Sequence, residues 1–245
     1  MAATAEILGN IARQAGAVIM RHYSGMAEAR LKSDNSPVTD ADEEAEALIL
    51  AGLARAFPGV PVVAEEEAAA GRIADVADRF FLVDPLDGTK EFLSGNGQFT
   101  VNIAEILDGV PVAGAVFAPA LKRLFVGGPQ GALEDDKMIF ARSAPKDGLV
   151  AVGSRSHGDA VTDEFLKRWP VKRMVGIGSS LKFCLVAAGE ADIYARGGPT
   201  MEWDTAAGHA VLLAAGGAVE NWEGAPLQYG KPGFRNPAFV AFGKR

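Results

Sequence analysis

Four consecutive apolar residues, Phe80-Phe81-Leu82-Val83, run directly into Asp84-Pro85-Leu86-Asp87-Gly88-Thr89. An unbroken apolar run bounded by a turn signal reads as a strand of the buried type. Pro85 cannot donate to a ladder, so the strand is expected to stop at Asp84. The rest of the chain supplies elements to cover such a strand. Two helical patterns precede it: residues 1–20, with Ile7, Ile11, Ala15 and Ile19 on one face, and residues 43–57, with Ala45, Leu48, Ile49 and Leu53. Thr39 or Asp40 can cap the second helix and Pro58-Gly59 can end it. The polar stretch from Lys32 to Asp42 between them reads as a loop. Val62-Val63 is a short strand.

Beyond the motif, QFTVNIAEI, VPVAGAVFAPA and LKRLFVGG read as consecutive antiparallel strands, with Asp108-Gly109 as a hairpin turn. Residues 129–145 read as a loop-rich seam. The second half alternates: strand at LVAVGSRS, helix at DAVTDEFLKRW, strand at VKRMVGI, helix at SSLKFCLVAAGE, strand at ADIYA, helix at WDTAAGHAVLLAAG. Gly216-Gly217 stops the last helix, and two short strands finish the chain. Helices, sheet, helices, sheet, helix is a layered α/β architecture with mixed sheets. The expected organisation is one unit over 1–245, with an α+β half at 1–140 and an α/β half at 141–245 that carries substrate contacts.

Composition excludes several functions. The net charge of −7 opposes a nucleic-acid polymer as partner. A single cysteine, Cys184, excludes an internal disulfide and a Cys-rich zinc site, and its mid-helix position suits a packed thiol. No apolar run of 18 residues is present to span a membrane. Glu6 and Arg13 interrupt the apolar pattern at the start, which reads as a helix of the fold rather than a secretory signal. His22, His157 and His209 show no zinc spacing. Neither a Walker A loop nor a Gly-x-Ser-x-Gly elbow occurs.

The chemistry lies in carboxylates. A tight bend between Asp84 and Asp87 points both carboxylates one way with the Leu86 carbonyl between them. That makes three hard oxygen ligands for a cation such as Mg²⁺. Gly88 lets the backbone approach a ligand, and the Gly88 and Thr89 amides can open a short helix and hold a phosphate. Asp-Pro and Asp-Gly are also common turn dipeptides. Glu65-Glu66-Glu67 is by itself an acidic helix start; beside a metal loop, one of the three can serve as a bridging ligand. Asp204, in Trp203-Asp204-Thr205-Ala206, is by default a helix cap, as are Asp40 and Asp42. Taken together, these carboxylates at strand ends and helix starts form the arrangement used for phosphoryl transfer to water.

At these residues the chain resembles the inositol monophosphatase superfamily of Mg²⁺-dependent, lithium-sensitive phosphatases. The resemblance is carried by Asp-Pro-x-Asp-Gly-Thr at 84–89, Trp-Asp-x-Ala at 203–206 and Glu-Glu at 65–66. Asp-Gly-Thr-Lys-Glu-Phe (87–92), Gly-Ser-Arg-Ser-His (153–157), Gly-Ser-Ser-Leu-Lys-Phe-Cys (178–184) and Trp-Asp-Thr-Ala-Ala-Gly-His-Ala (203–210) look most like its CysQ-type 3′(2′),5′-bisphosphate nucleotidases. Ala64 departs from the serine or glycine usual there. The resemblance implies an αβαβα sandwich and two or three Mg²⁺ ions. Glu65, Asp84 and the Leu86 carbonyl would hold the first metal, and Asp84, Asp87 and Asp204 the second. Asp42 would help a third through water. Thr89, hydrogen-bonded near Glu65, would orient and deprotonate the attacking water. Ser179, Lys182, Arg196 and His157 would contact the nucleotide, with Asp87, Gly88, Thr89 and Asp204 lining its phosphate. It further implies inhibition by Li⁺ and Ca²⁺, and a cytoplasmic protein, peripheral on the inner membrane in some members. The expected substrate is adenosine 3′,5′-bisphosphate. The rival readings are a broader inositol monophosphatase and a catalytically idle protein of the same fold. Whether the chain acts as a monomer or a homodimer stays open.

Overall fold

The computed structural model describes residues 4–23, 30–31, 37–154 and 160–244. In chain order the first half holds α1 (Thr4–Tyr23), β1 (Arg30–Leu31), β2 (Pro37–Val38), α2 (Asp40–Ala56), β3 (Val62–Ala64), α3 (Glu65–Ala69), β4 (Arg79–Asp87), α4 (Thr89–Leu93), β5 (Thr100–Leu107), β6 (Val110–Ala118), β7 (Arg123–Gly128), β8 (Gly131–Glu134) and β9 (Lys137–Ile139). The second half holds β10 (Leu149–Ser154), α5 (Ala160–Leu166), β11 (Val171–Ile177), α6 (Leu181–Ala187), β12 (Ile193–Arg196), α7 (Ala206–Ala214), β13 (Ala218–Asn221) and β14 (Phe239–Phe242).

Strands β3 to β9 form a seven-stranded sheet in chain order, antiparallel except for the parallel β3–β4 pair. A five-stranded mixed sheet has the order β11-β10-β12-β14-β13. The apolar run in β4 is buried on both faces because each face meets a different layer. Phe81 and Val83 pack with Leu8, Ile11 and Ala15 of α1 and Ala45, Ile49 and Leu53 of α2. Phe80 and Leu82 pack on the opposite face with Leu181 and Cys184 of α6 and Val211 and Leu212 of α7. The same cluster takes in Val152, Tyr194 and Phe239 of the second sheet. Phe165 and Leu166 of α5 cover the far side of that sheet, against Ala151, Ile193 and Val240. The five layers are therefore α1/α2, large sheet, α6/α7, small sheet and α5.

Helix α7 lies almost in contact with the large sheet's backbone. A Cβ on Gly127 of β7 would stand 2.5 Å from the Val211 Cα. The glycine is a close-approach residue that sets how deep the helix beds.

Three local expectations differ from the structure. Residues 129–145 contain the β8–β9 hairpin, which extends the large sheet. Asp135 and Asp136 turn it with positive φ (43° and 69°), and its exposed edge strand lacks the apolar alternation that marks β structure. The helix after the polar stretch starts at Asp40, with Thr39 as N-cap in a capping box with Asp42. β4 also continues past Asp84 to Asp87 through an irregularity.

Candidate active site

That irregularity builds the site. In a regular strand, residues three apart point to opposite faces. Asp84 pairs with Asn102 and Asp87 with Thr100. Two residues of β4, Pro85 and Leu86, thus oppose one residue of β5, which is the count of a β-bulge. The extra residue resets the alternation and turns both carboxylates to the face that meets α6 and α7.

Two further acidic residues reach the same place. β3 pairs parallel with β4, Ala64 beside Val83, so Glu65 at the start of α3 emerges next to Asp84. Asp204 precedes α7 on the same side of the sheet. One oxygen of each aspartate is fixed by a backbone N–H. Leu86 donates to Asp84 (3.0 Å), Ser180 to Asp87 (2.5 Å) and Met201 to Asp204 (2.8 Å). Such contacts orient ligands from behind. Asp84 is buried, whereas Glu65, Asp87 and Asp204 are partly exposed. A buried floor thus carries an open acidic rim.

The electrostatics describe a site short of positive charge. Burial, then the charges of Glu65, Asp87 and Asp204, and a hydrogen bond with Glu65 hold the Asp84 carboxyl well above its ordinary range. Burial, then Asp87 and Glu65, does the same to Asp204. Asp87 is pushed up to about 6 by burial, against the pull of the Lys182 charge and the Ser180 N–H. Among the described residues, no three His, Cys, Asp or Glu side chains already enclose a point as a metal cage would. Asp84 and Glu65 stand within hydrogen-bonding reach of each other. The donor set consists of hard oxygens whose charge burial penalises, which fits Mg²⁺ or a similar divalent ion.

Thr89 opens α4 behind Gly88, whose φ of 94° requires glycine. Its hydroxyl donates to Asp42 Oδ1 and to the Leu86 carbonyl, at 3.4 Å each. The expected partnership near Glu65 is corrected: the acceptor is Asp42, buried and held by the Thr39 N–H and hydroxyl (2.7 Å each).

Of the expected nucleotide contacts, Lys182 is buried rather than solvated. Its ammonium donates to the Ser179 (2.5 Å) and Ile177 (3.4 Å) carbonyls. Burial, partly offset by Asp87, lowers its pKa to about 8. Ser179 sits at a positive φ of 53° in the turn before α6. Arg196 closes β12, partly exposed, and its charge acts on Asp204. His157 lies outside the described residues.

Sequence reasoning missed three supporting residues. Ser180, beside the chosen Ser179, reaches Asp87 and bonds Asn102 (2.6 Å) and Thr100 (2.9 Å) through its hydroxyl. The polar residues Thr100 and Asn102, interleaved with the apolar Val101 and Ile103, were the available signal. Glu46 is buried and accepts from the Glu66 and Glu67 N–H groups at 2.8 and 2.9 Å. Its spacing from Asp42, Ile49 and Leu53 places it on the inner face of α2. Glu202 is described below.

The model of the inositol monophosphatase family matches residues 2–240. The chain belongs to that family. Members similar to it include the 3′(2′),5′-bisphosphate nucleotidase CysQ of Escherichia coli K12, 46% identical over 236 residues, spanning 94% of this chain and 95% of the relative. Its counterpart from Haemophilus influenzae is 33% identical over 95% of this chain and 90% of the relative. Among solved structures, CysQ from Bacteroides thetaiotaomicron superposes with a TM-score of 0.81 at 36% identity, covering 98% of this chain and 97% of that one. An inositol monophosphatase of Thermotoga maritima matches with the same TM-score of 0.81 at 26% identity, over 96% and 89%. The family's layered fold is the one described above. No helix among the described residues is long and apolar enough to cross a membrane.

Proposed function

We propose that this inositol monophosphatase family member is a Mg²⁺-dependent 3′(2′),5′-bisphosphate nucleotidase that hydrolyses the 3′-phosphate of adenosine 3′,5′-bisphosphate to AMP and phosphate. The 3′-phosphorylated sulfate donor is a second substrate of the same chemistry, which puts the enzyme in sulfur metabolism. The observation that carries the reading is the bulge that turns Asp84 and Asp87 to one face, where Glu65 and Asp204 join them. Glu65, Asp84, Asp87, Asp204 and the Leu86 carbonyl are the residues to hold the metal. Bound there, a divalent cation supplies Lewis-acid stabilisation of charge on the transferring phosphoryl group.

The chain's own residues do the rest. Asp42 takes a proton through Thr89 from the attacking water, whose oxygen bonds to phosphorus as the bond to the 3′ oxygen breaks. That oxygen is protonated from solvent. The capping box that holds the other Asp42 oxygen keeps Oδ1 turned to Thr89. The Gly88 and Thr89 amides at the start of α4 line the phosphate. Arg196, on the open side, takes the second phosphate, a charge-assisted contact worth about 1.5–3 kcal/mol. Lys182 acts from behind, its charge favouring the Asp87 carboxylate. A cytoplasmic site of action belongs to the same reading.

The test is a panel of phosphomonoesters assayed with Mg²⁺, with EDTA, and with added Li⁺ or Ca²⁺. The expected result is a large preference for adenosine 3′,5′-bisphosphate over inositol 1-phosphate, lost with EDTA and restored by Mg²⁺. Equal specificity constants would leave a broad monophosphatase. Activity surviving exhaustive chelation would remove the metal-dependent mechanism.

A further inference from the structure

Asp204 does not stand on α7 itself but in the turn before it, and that turn is stitched to a segment remote in sequence from every motif. Glu202, two residues before Asp204, has 0% of its surface exposed. Its carboxylate accepts from the Gly230 N–H at 2.7 Å and the Lys231 N–H at 3.0 Å. The Lys231 ammonium stands 2.6 Å from Oε1. The Glu202 N–H in turn donates to the Phe234 carbonyl at 2.8 Å. Asn236 closes the seam, its amide donating to the Met201 carbonyl (2.7 Å) and the Thr205 hydroxyl (3.0 Å) on either side of Asp204.

We infer that Glu202, clamped by Lys231 and the Gly230–Lys231 backbone, is a positioning residue for Asp204 and so sets how tightly the acidic site holds a divalent cation. The inference rests on the reading of Asp204 as a metal ligand. The Asp204 carboxylate hangs by one oxygen on the Met201 N–H. Its aim is therefore only as firm as the turn from Met201 to Thr205. A buried carboxylate with both oxygens bonded, one of them to an ammonium, is a costly device where stability alone is wanted, since an apolar residue would fill the same place. It is directional, however, and binds the turn at one orientation.

The test is a substrate-free Mg²⁺ titration followed by thermal unfolding, which reads the Mg²⁺ concentration at half the maximal rise in Tm. Glu202→Gln should move that concentration upward roughly tenfold to a hundredfold, the size typical of lost outer-shell partners. A merely structural role would lower Tm at every Mg²⁺ concentration and leave the midpoint in place. In an Asp204→Asn background the same substitution should shift the midpoint less than about twofold, because the residue it acts through is gone. Lys231→Met, which keeps the two backbone contacts, should move the midpoint in the same direction by less, and serves if Glu202→Gln does not fold. An unmoved midpoint in Glu202→Gln, or in Lys231→Met where that variant stands in, overturns the inference while Asp204→Asn remains weak for Mg²⁺. So does a full additive loss in the double variant. An Asp204→Asn midpoint equal to the parent's overturns the metal-site reading itself, and the inference with it.

Discussion

Asp84, Asp87 and Asp204 are held in a place that disfavours their charge, and this gives the site an opposing effect on stability. A carboxyl whose folded pKa lies above its unfolded value costs stability as pH rises through that interval. For Asp87 the interval runs from 3.8 to about 6. At neutral pH, Asp87→Asn and Asp204→Asn should each cut turnover by orders of magnitude. Each should also raise the Tm of the metal-free protein, because each removes a charge that burial penalises. Calorimetry with EDTA, beside kinetics at saturating Mg²⁺, checks both halves, and a metal-free Tm that falls would contradict the charge argument. The Thr89–Asp42 pair makes a different demand. Thr89→Ala and Asp42→Asn should each lower kcat by about 10²–10⁴ with little change in KM, and the double variant should be no slower than the worse single. Additive losses would mean that the two do not pass one proton.

At the scale of elements, the site depends on how closely α7 beds on the large sheet. Gly127→Ala places a methyl against the Val211 backbone, which unlike a side chain has no rotamer to escape into. It should cost about 1–3 kcal/mol in urea unfolding. Because α7 follows Asp204 directly, it should also weaken Mg²⁺ binding. An alanine that is neutral for both would show that the layers have slack. The bulge in β4 is the other decisive element feature. It does locally what no change of side chain could do, placing two aspartates of odd separation on one face.

The whole molecule should respond to acid through a buried histidine outside the acidic cluster. His209 is buried in α7 with its Nδ1 2.9 Å from the Tyr229 hydroxyl. Burial lowers its pKa from 6.5 to about 3. The unfolded chain then binds a proton that the folded one refuses, so stability falls as pH drops from 6.5 towards 3. A His209→Gln variant should lose part of this acid sensitivity. Subtracting its stability-versus-pH curve from the parent's isolates the effect from that of the carboxylates, which runs the other way, and parallel curves would count against it. Metal removal acts on the same scale: at a hundred times its dissociation constant Mg²⁺ should add about 2.7 kcal/mol, and EDTA should take it away. At this chain length that is roughly 5–10 °C of Tm.

Much of this was legible in the chain alone, because it is written in local periodicity and short motifs. The alternation of helices and strands, the Asp108-Gly109 turn and the Asp84–Asp87 motif each need only neighbours a few residues away to be recognised, whereas Glu65 and Asp204 are singled out only by resemblance to a family. What the tertiary structure decided depends on pairing between segments that carry no mutual signal. The same-face aim of Asp84 and Asp87 follows from register against Asn102 and Thr100. Ser180 meets Asp87 from 93 positions away. Thr89 turns to Asp42 because α2 and α4 meet in space. The β8–β9 hairpin has too little apolar alternation to be read as strand, and only its ladder to β7 reveals it. Glu202 is read from the chain as one more acidic residue before a helix. It becomes a clamp only when residues 230 and 231 fold back onto it, since hydrogen bonds between distant backbone groups leave no periodic trace in either segment.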